Sequence, residues 1–269
     1  MHDDFGDRMK LYEKMEARRL MPLLPACVRL DGKCFSRYTK NLNRPYDMDF
    51  IDTMQQTARA LVEITNACIG YVQSDEISLI WHSEEYKSQI FMDGRIQKMV
   101  SLLAAECSTI FNSLVDANPT MYDKISRRRA IFDCRAWNVP NKIEAANVLL
   151  WREQDATRNS IQMAAQAVFS HKQLHKKSCS DLQEMLHQEG INWDKYPRCF
   201  KRGTFYQRYK VARPFTADEI ENLPEMHEAR RNPDLKIERT EIRMVDMPPF
   251  GRVLNRVGVI FDGADPRTA

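Results

Sequence analysis

The feature that most constrains the fold is a hydrophobic period that switches repeatedly between two and about 3.6 residues. Cys27–Leu30 is a short apolar run interrupted by Arg29, a candidate strand. Phe50, Met54, Ala58, Leu61 and Thr65 then recur at helical spacing, with Ile51 and Val62 beside them, and Gly70 is expected to close that helix. Ile69–Val72 and Ile77–Trp81 are two further apolar runs, joined by the polar Gln73–Ser74–Asp75–Glu76, and predict a β-hairpin. Ile96, Met99, Leu103, Cys107, Ile110 and Leu114 mark a second long helix that Asn118–Pro119 ends. Ala130–Phe132 begins another strand, with Asp133 at its end. The order strand, helix, strand, strand, helix, strand is the βαββαβ pattern of the ferredoxin-like, α+β fold, which also describes RNA-binding sheets and polymerase palms.

The remainder reads differently. Trp137–Pro140 is expected as a loop before a helix over Lys142–Ser170, and Asp181–Gln188 as a shorter helix ended by Gly190. Residues 199–213 mix bases with aromatics and suit a strand or hairpin. Residues 214–250, rich in prolines and charges, read as loop, and Arg252–Phe261 as a last strand. The expectation is one elaborated domain over 1–269, with a palm-like core at 20–140 and a helical, loop-rich part at 141–269.

Charge excludes little: 40 basic and 37 acidic residues give a net +3, which permits nucleic-acid binding without demanding it. No apolar run approaches the ~20 residues of a membrane helix. The charged N-terminus lacks a signal-peptide core and reads as a helix lying on the protein. Seven cysteines, none in a C-x-x-C pair, argue against a disulfide framework and for a cytoplasmic setting.

In a βαββαβ sheet the first and third strands are antiparallel neighbours, ~4.8 Å apart. Asp31 ends the first, and Asp75 and Glu76 begin the third, so Asp31 and Asp75 are expected on one sheet edge. Convergent carboxylates repel, and a divalent ion such as Mg²⁺, which favours oxygen donors, resolves the conflict. Two ions ~3.5–4 Å apart can activate an attacking oxygen and stabilise a leaving one. Gly32 permits a sharp turn and offers a carbonyl to a metal, and the amides of Lys33, Cys34 and Phe35 suit a triphosphate cradle. Asp-Gly is equally a common turn dipeptide, and acids are frequent in hairpin loops, so each motif alone also fits a purely structural role.

RLDGKCF at 29–35 resembles the R-x-D-G-x-x-F motif of the tRNA-histidine guanylyltransferase family and its bacterial and archaeal relatives. YVQSDEISL at 71–79 is similar to that family's second metal motif, and FDCRAW at 132–137, KRGTF at 201–205 and DRMKLYE at 7–13 add to the likeness, which spans essentially the whole chain. The resemblance implies nucleotide addition to the 5′ end of tRNA, in the 3′→5′ direction. It implies Asp31, Gly32 and Asp75 as ligands of two Mg²⁺ ions, with Glu76 as a further catalytic acid that shapes the site or holds a metal-bound water. Asp31, Gly32, Lys33, Cys34, Phe35, Ser36, Ser74 and Asp75 match nucleotide-binding segments. Arg44 and Asp47 fall where the family places a base and an acid near the activating nucleotide, Arg44 replacing the lysine usual in eukaryotic members.

Eukaryotic enzymes that add guanosine to tRNA-His carry H-I-N-N-L-Y-N; here 157–165 reads TRNSIQMAA, and only Asn159 matches. That form resembles bacterial members, so templated 5′-end repair is the first expectation and dedicated guanosine addition the alternative. ATP or GTP would activate a 5′ monophosphate, and the 3′-hydroxyl of an incoming nucleoside triphosphate would then displace the activating nucleotide. Arg29, Lys33, Arg44, Lys201 and Arg202 are candidate phosphate contacts. Arg127, Arg128, Arg129, Lys172, Lys176 and Lys177 are candidates to track RNA backbone, although each alone is as readily a solvated surface charge. His171 and His175 read as RNA- or solvent-facing. The family likeness also implies a homotetramer. Two rivals remain from the residues alone: a non-catalytic RNA-binding module and a cyclic-nucleotide synthase sharing the palm.

Overall fold

Alternation along the first strand sends Val28 and Leu30 to one side of a sheet and Cys27, Arg29 and Asp31 to the other. The structure is a computed structural model and describes residues 4–125, 128–232 and 234–269. Its elements run α1 (Asp4–Met15), β1 (Ala26–Gly32), α2 (Phe35–Tyr38), α3 (Met48–Thr65), β2 (Ile69–Gln73), β3 (Glu76–Trp81), α4 (Ile96–Ala117), α5 (Pro119–Ile125) and β4 (Phe132–Asn138). There follow α6 (Lys142–Gln166), α7 (His171–Leu174), α8 (Cys179–Gln188), α9 (Arg198–Arg202), β5 (Thr204–Pro214), α10 (Ala217–Glu221), β6 (Lys236–Val245) and α11 (Arg256–Phe261).

The sheet order is β4-β1-β3-β2-β5-β6, every neighbouring pair antiparallel. Its first four strands are the expected ferredoxin-like palm, and β5 and β6 extend it from the C-terminal half. On one face lie α3 and α4, closing a core of Leu30, Leu61, Leu79, Leu103 and Phe111. On the other face α6 lays Ala145, Ala146 and Leu149 against Cys27, Tyr71 and Ile80. The Asp31 side of the sheet is therefore the α6 side. A third cluster joins α6 to α8 through Ala164, Leu182, Leu186 and Trp193.

Several sequence expectations shift. Helix α3 ends at Asn66, left-handed at φ 56°, and not at Gly70. Gly70 lies in β2, where a Cβ would meet Val62 Cγ2 at 2.5 Å, so the glycine serves helix–strand contact. The buried stripe of α4 falls on Phe111 and Val115 in place of Ile110 and Leu114. Asp133 stands at the start of β4, not its end, and Trp137 and Asn138 continue that strand where a loop was expected. Residues 236–245, expected as loop, form β6, because their charges are matched across the ribbon: Lys210 to Glu238 at 2.8 Å, and the Tyr209 hydroxyl to Glu241 at 3.0 Å. The run Arg252–Phe261 is a turn and α11, not a strand; Val253, Val259 and Ile260 are buried in the cluster built on α6. The N-terminal helix forms, yet none of its residues is buried on the chain.

Candidate active site

The β2–β3 connection is tighter than the four polar residues suggest. Gln73 pairs with Glu76, leaving a two-residue turn in which Ser74 is left-handed at φ 51°. The backbone N–H of Gly32 donates to the carbonyl of Asp75 at 3.1 Å, tying the end of β1 to this turn. Across the strands Asp31 lies opposite Glu76 on one side and opposite Asp133 on the other. Directly opposed residues share a face, so Asp133, Asp31 and Glu76 line up beside Asp75.

Their electrostatics divide them. Both Glu76 oxygens accept from Arg152 of α6, at 2.6 and 2.8 Å, with Arg29 Nε 3.8 Å away. Burial pushes the Glu76 carboxyl up, and the Arg152 charge and hydrogen bond pull against it. Asp133 has Arg135 at 3.5 Å. Among the described residues no cation lies within ion-pair distance of Asp31 or Asp75. Burial raises the Asp75 carboxyl above its usual range, and the Asp31 charge raises it further, against hydrogen bonds from its own amide and Ser74. Among the described residues no set of three or more His, Cys, Asp or Glu side chains is spaced to hold an ion. The donors at this edge are instead two carboxylates and a strand-end carbonyl, all oxygens, a set that fits Mg²⁺.

Gly32 is there for close approach. A Cβ on it would fall 2.3 Å from the Phe35 ring. That ring is buried, with its centroid 4.8 Å from Tyr38 and 5.0 Å from Phe132. Beside the acids opens a cavity of about 350 Å³ lined by Ser36, Arg44, Asp47, Ser74, Asp75 and Phe200, among others. Tyr46 and Phe200, ring centroids 4.9 Å apart, give it an aromatic wall.

Comparison with known proteins decides the family. A model described as "Thg1: tRNAHis guanylyltransferase" matches residues 6–140, half of the chain. The chain belongs to the Thg1 family. Thg1 family members are tRNA guanylyltransferase nucleotidyltransferases, and this chain is an enzyme of that class. The tRNA(His) guanylyltransferase of Schizosaccharomyces pombe is 28% identical over 217 residues, covering 76% of this chain and 80% of that protein. A bacterial Thg1-like protein solved in complex with ATP superposes with TM-score 0.70 at 36% identity, covering 76% of this chain and 87% of the other. A second bacterial Thg1-like structure, in complex with GTP, gives TM-score 0.69 at 28% identity over 93% and 94% of the two chains.

Not all residues expected from the Thg1 likeness gather at the cavity. The Lys33 amide donates to the carbonyl of Ile131 at 2.8 Å, so it is not free for a triphosphate cradle. Cys34 is exposed and left-handed, and Phe35 is core. Asp47 lines the cavity but caps α3, accepting from Asp49 and Phe50 amides, and binds Lys124 at 2.8 Å. Burial pushes its carboxyl up, but Lys124 and the amides of Asn43 and Phe50 outweigh that and hold it low. Arg44 is exposed and donates to the Thr39 carbonyl at 3.3 Å. Lys201 is buried, its ammonium 2.9 Å from Asp194 and 5.1 Å from the Trp193 ring centre; it is a strut and no phosphate contact. Arg202 lies over the same ring at 5.5 Å.

Arg29 is half-buried between Glu76 and Trp151. Arg128, Asn159 and Lys172 are exposed, and Arg129 pairs with Asp116 at 2.6 Å. Arg127 lies outside the described residues. His171, His175, Lys176 and Lys177 rim a shallow pocket of about 250 Å³ against α6. Sequence reasoning missed Tyr46, Met163, Cys199 and Phe200 in the cavity wall, and Arg152 behind Glu76. None carries a local motif; only the fold brings them to the site.

Proposed function

We propose that this protein restores missing nucleotides at the 5′ end of tRNA by templated 3′→5′ addition. The observation that carries it is the cation-free pair Asp31 and Asp75, held on one sheet edge, with Asp75 lining the cavity. Bacterial Thg1-like proteins solved in complex with ATP and with GTP support a nucleotide as the occupant. Asp31, Asp75 and the Gly32 carbonyl would hold two Mg²⁺ ions. Those ions supply charge neutralisation on the phosphates and a lowered pKa for the attacking hydroxyl.

The chain's own residues do the rest. Ser36, Ser74 and Arg44 border the triphosphate end of the cavity, while Tyr46 and Phe200 present faces to a base. A 5′ monophosphate attacks the α-phosphate of ATP or GTP and releases pyrophosphate. The 3′-hydroxyl of the incoming nucleoside triphosphate then gives its proton to water, attacks the activated 5′ phosphorus and expels the mononucleotide. Glu76, with both oxygens on Arg152, positions the β3 end and does not take part in proton transfer. The RNS sequence at 158–160 supports templated repair over dedicated guanosine addition.

Assembly as a homotetramer in the cytoplasm belongs to the same proposal. Helix α1, with Phe5, Leu11, Tyr12 and Met15 exposed, offers apolar surface to a second copy. Among the described residues no helix is long and apolar enough to cross a membrane.

The test gives purified protein a tRNA lacking its first nucleotide, together with Mg²⁺ and nucleoside triphosphates. Extension should restore the complementary nucleotide, and Asp31→Ala or Asp75→Ala should abolish it in a folded protein. Full activity in either variant would remove the metal assignment, and guanosine addition irrespective of the opposing base would favour the dedicated enzyme.

A further inference from the structure

One aromatic ring stands near the acids outside the nucleotide cavity. Trp151, on α6, leaves 47% of its surface exposed. The buried tryptophans Trp81 and Trp193 donate their indole N–H groups to Thr65 and Ser160. Trp151 is held by charges: the Arg152 guanidinium is 4.4 Å from its ring centre and that of Arg29 is 5.7 Å away. Neither arginine is free to wander. Arg152 is forked onto Glu76 and reaches Asp155 at 3.0 Å, and Arg29 is half-buried against Glu76. Arg29, Arg152 and Arg158 are engaged by Glu76 and Asp155, with Asp31 directly across from Glu76.

Position gives the ring a use. Arg29 precedes Asp31 by two residues on the same strand face, roughly 7 Å away. Trp151 is therefore linked to the acid edge through Arg29, and neither it nor its two arginines line the cavity assigned to the nucleoside triphosphate. A rigid, cation-backed aromatic with open surface is what the exposed face of a terminal base stacks on, and the two guanidiniums beside it suit the adjoining phosphate.

We propose that Trp151 is the stacking platform for the 5′-terminal nucleobase of the RNA being extended, holding that nucleotide so its 5′ phosphate meets the Asp31–Asp75 edge. This rests on the 5′-addition reading and names the substrate group that the far side of the site receives. The experiment is a binding cycle on an acceptor-stem hairpin RNA lacking its first nucleotide. The hairpin is used intact or with an abasic 5′-terminal residue, against wild type, Trp151→Phe, Trp151→Leu and Trp151→Ala.

Losing the ring or losing the base should each weaken binding about tenfold, and losing both should cost no more than losing one. Trp151→Phe should keep most of the affinity, whereas Trp151→Leu, which fills similar space without a π face, should not. ATP affinity and melting temperature should stay as in wild type. Additive losses, full binding by Trp151→Ala, or a wild type that does not bind the hairpin would overturn the stacking role. A coupled cycle in a protein that binds but never extends the RNA would leave the stacking intact and overturn the addition reaction alone.

Discussion

Replacing Gly32 by alanine tests the packing that brings the two acid segments together. The added methyl would sit 2.3 Å from the Phe35 ring, far inside contact distance. The ring is only 4% exposed and is enclosed by Tyr38, Phe50, Phe111 and Phe132, with centroids between 4.8 and 6.2 Å. It cannot swing away, so either the aromatic cluster is overpacked or the backbone at 32 moves. Overpacking of this kind costs about 1–3 kcal/mol. In a chain of this size that lowers the melting temperature by roughly 2–10 °C. A backbone shift would also stretch the 3.1 Å bond from Gly32 to Asp75 and separate the acids, so nucleotide addition should fall more than stability alone explains. Phe35→Leu makes room at its own cost of roughly 1–2 kcal/mol. The assay is a double-mutant cycle of thermal or urea melts, with addition rates measured alongside. Gly32→Ala with Phe35→Leu should be more stable than the two single losses predict, by about 1 kcal/mol or more, and should regain activity relative to Gly32→Ala. Strictly additive losses, or a Gly32→Ala protein as stable as wild type, would refute the close-approach argument.

Two further outcomes are expected. Burial raises the Glu153 carboxyl above its ordinary 4.5, with the Phe250 amide and the Arg202 charge pulling against it. A raised carboxyl contributes stability that is present below 4.5 and lost as pH climbs through the raised value. Glu153→Gln keeps an oxygen for the Phe250 amide and removes the charge, so its stability relative to wild type should rise between about pH 4 and pH 8 in urea melts; a constant difference would count against a buried charge. Lys201→Met should lower stability by about 1–3 kcal/mol while leaving the salt dependence of RNA binding unchanged. Lys176→Ala or Lys177→Ala should instead leave stability alone and, if either touches backbone phosphate as expected, reduce the salt slope by about one.

The palm was legible because its strands and helices announce themselves by period, and because βαββαβ topology allows one strand order. That is why Asp31 and Asp75, far apart in the chain, could be placed on one edge. What escaped was set by partners distant in sequence. Glu76 reads as a third acid of the motif until Arg152, 76 residues away, is seen to take both oxygens. Lys201 reads as an RNA contact until its ammonium is found over Trp193 and bonded to Asp194. Asp47 could have been recognised: an acid just before a helical run is an N-cap by residue type alone. β6 hid because a solvent-facing ribbon needs few apolar residues when its charges pair across strands, as Lys210 and Glu238 do.

The division of charge among the acids is the most specific thing the structure adds. Four carboxylates meet at one end of the sheet, and repulsion alone would give no reason to treat them differently. Two are supplied with arginines from the chain itself, Glu76 from α6 and Asp133 from its own strand. Among the described residues Asp31 and Asp75 are given none, although Arg29, two residues before Asp31 on β1, and Arg152 on α6 are close by and turned to Glu76. A chain seeking only stability would spread those cations over all the acids. Here they are withdrawn from the pair at the sheet edge beside the cavity, which leaves concentrated negative charge where a divalent ion is proposed to bind. Glu76 is thus what allows Asp31 and Asp75 to stay bare: by engaging the nearby arginines, it keeps them off the edge where the metal is proposed to bind.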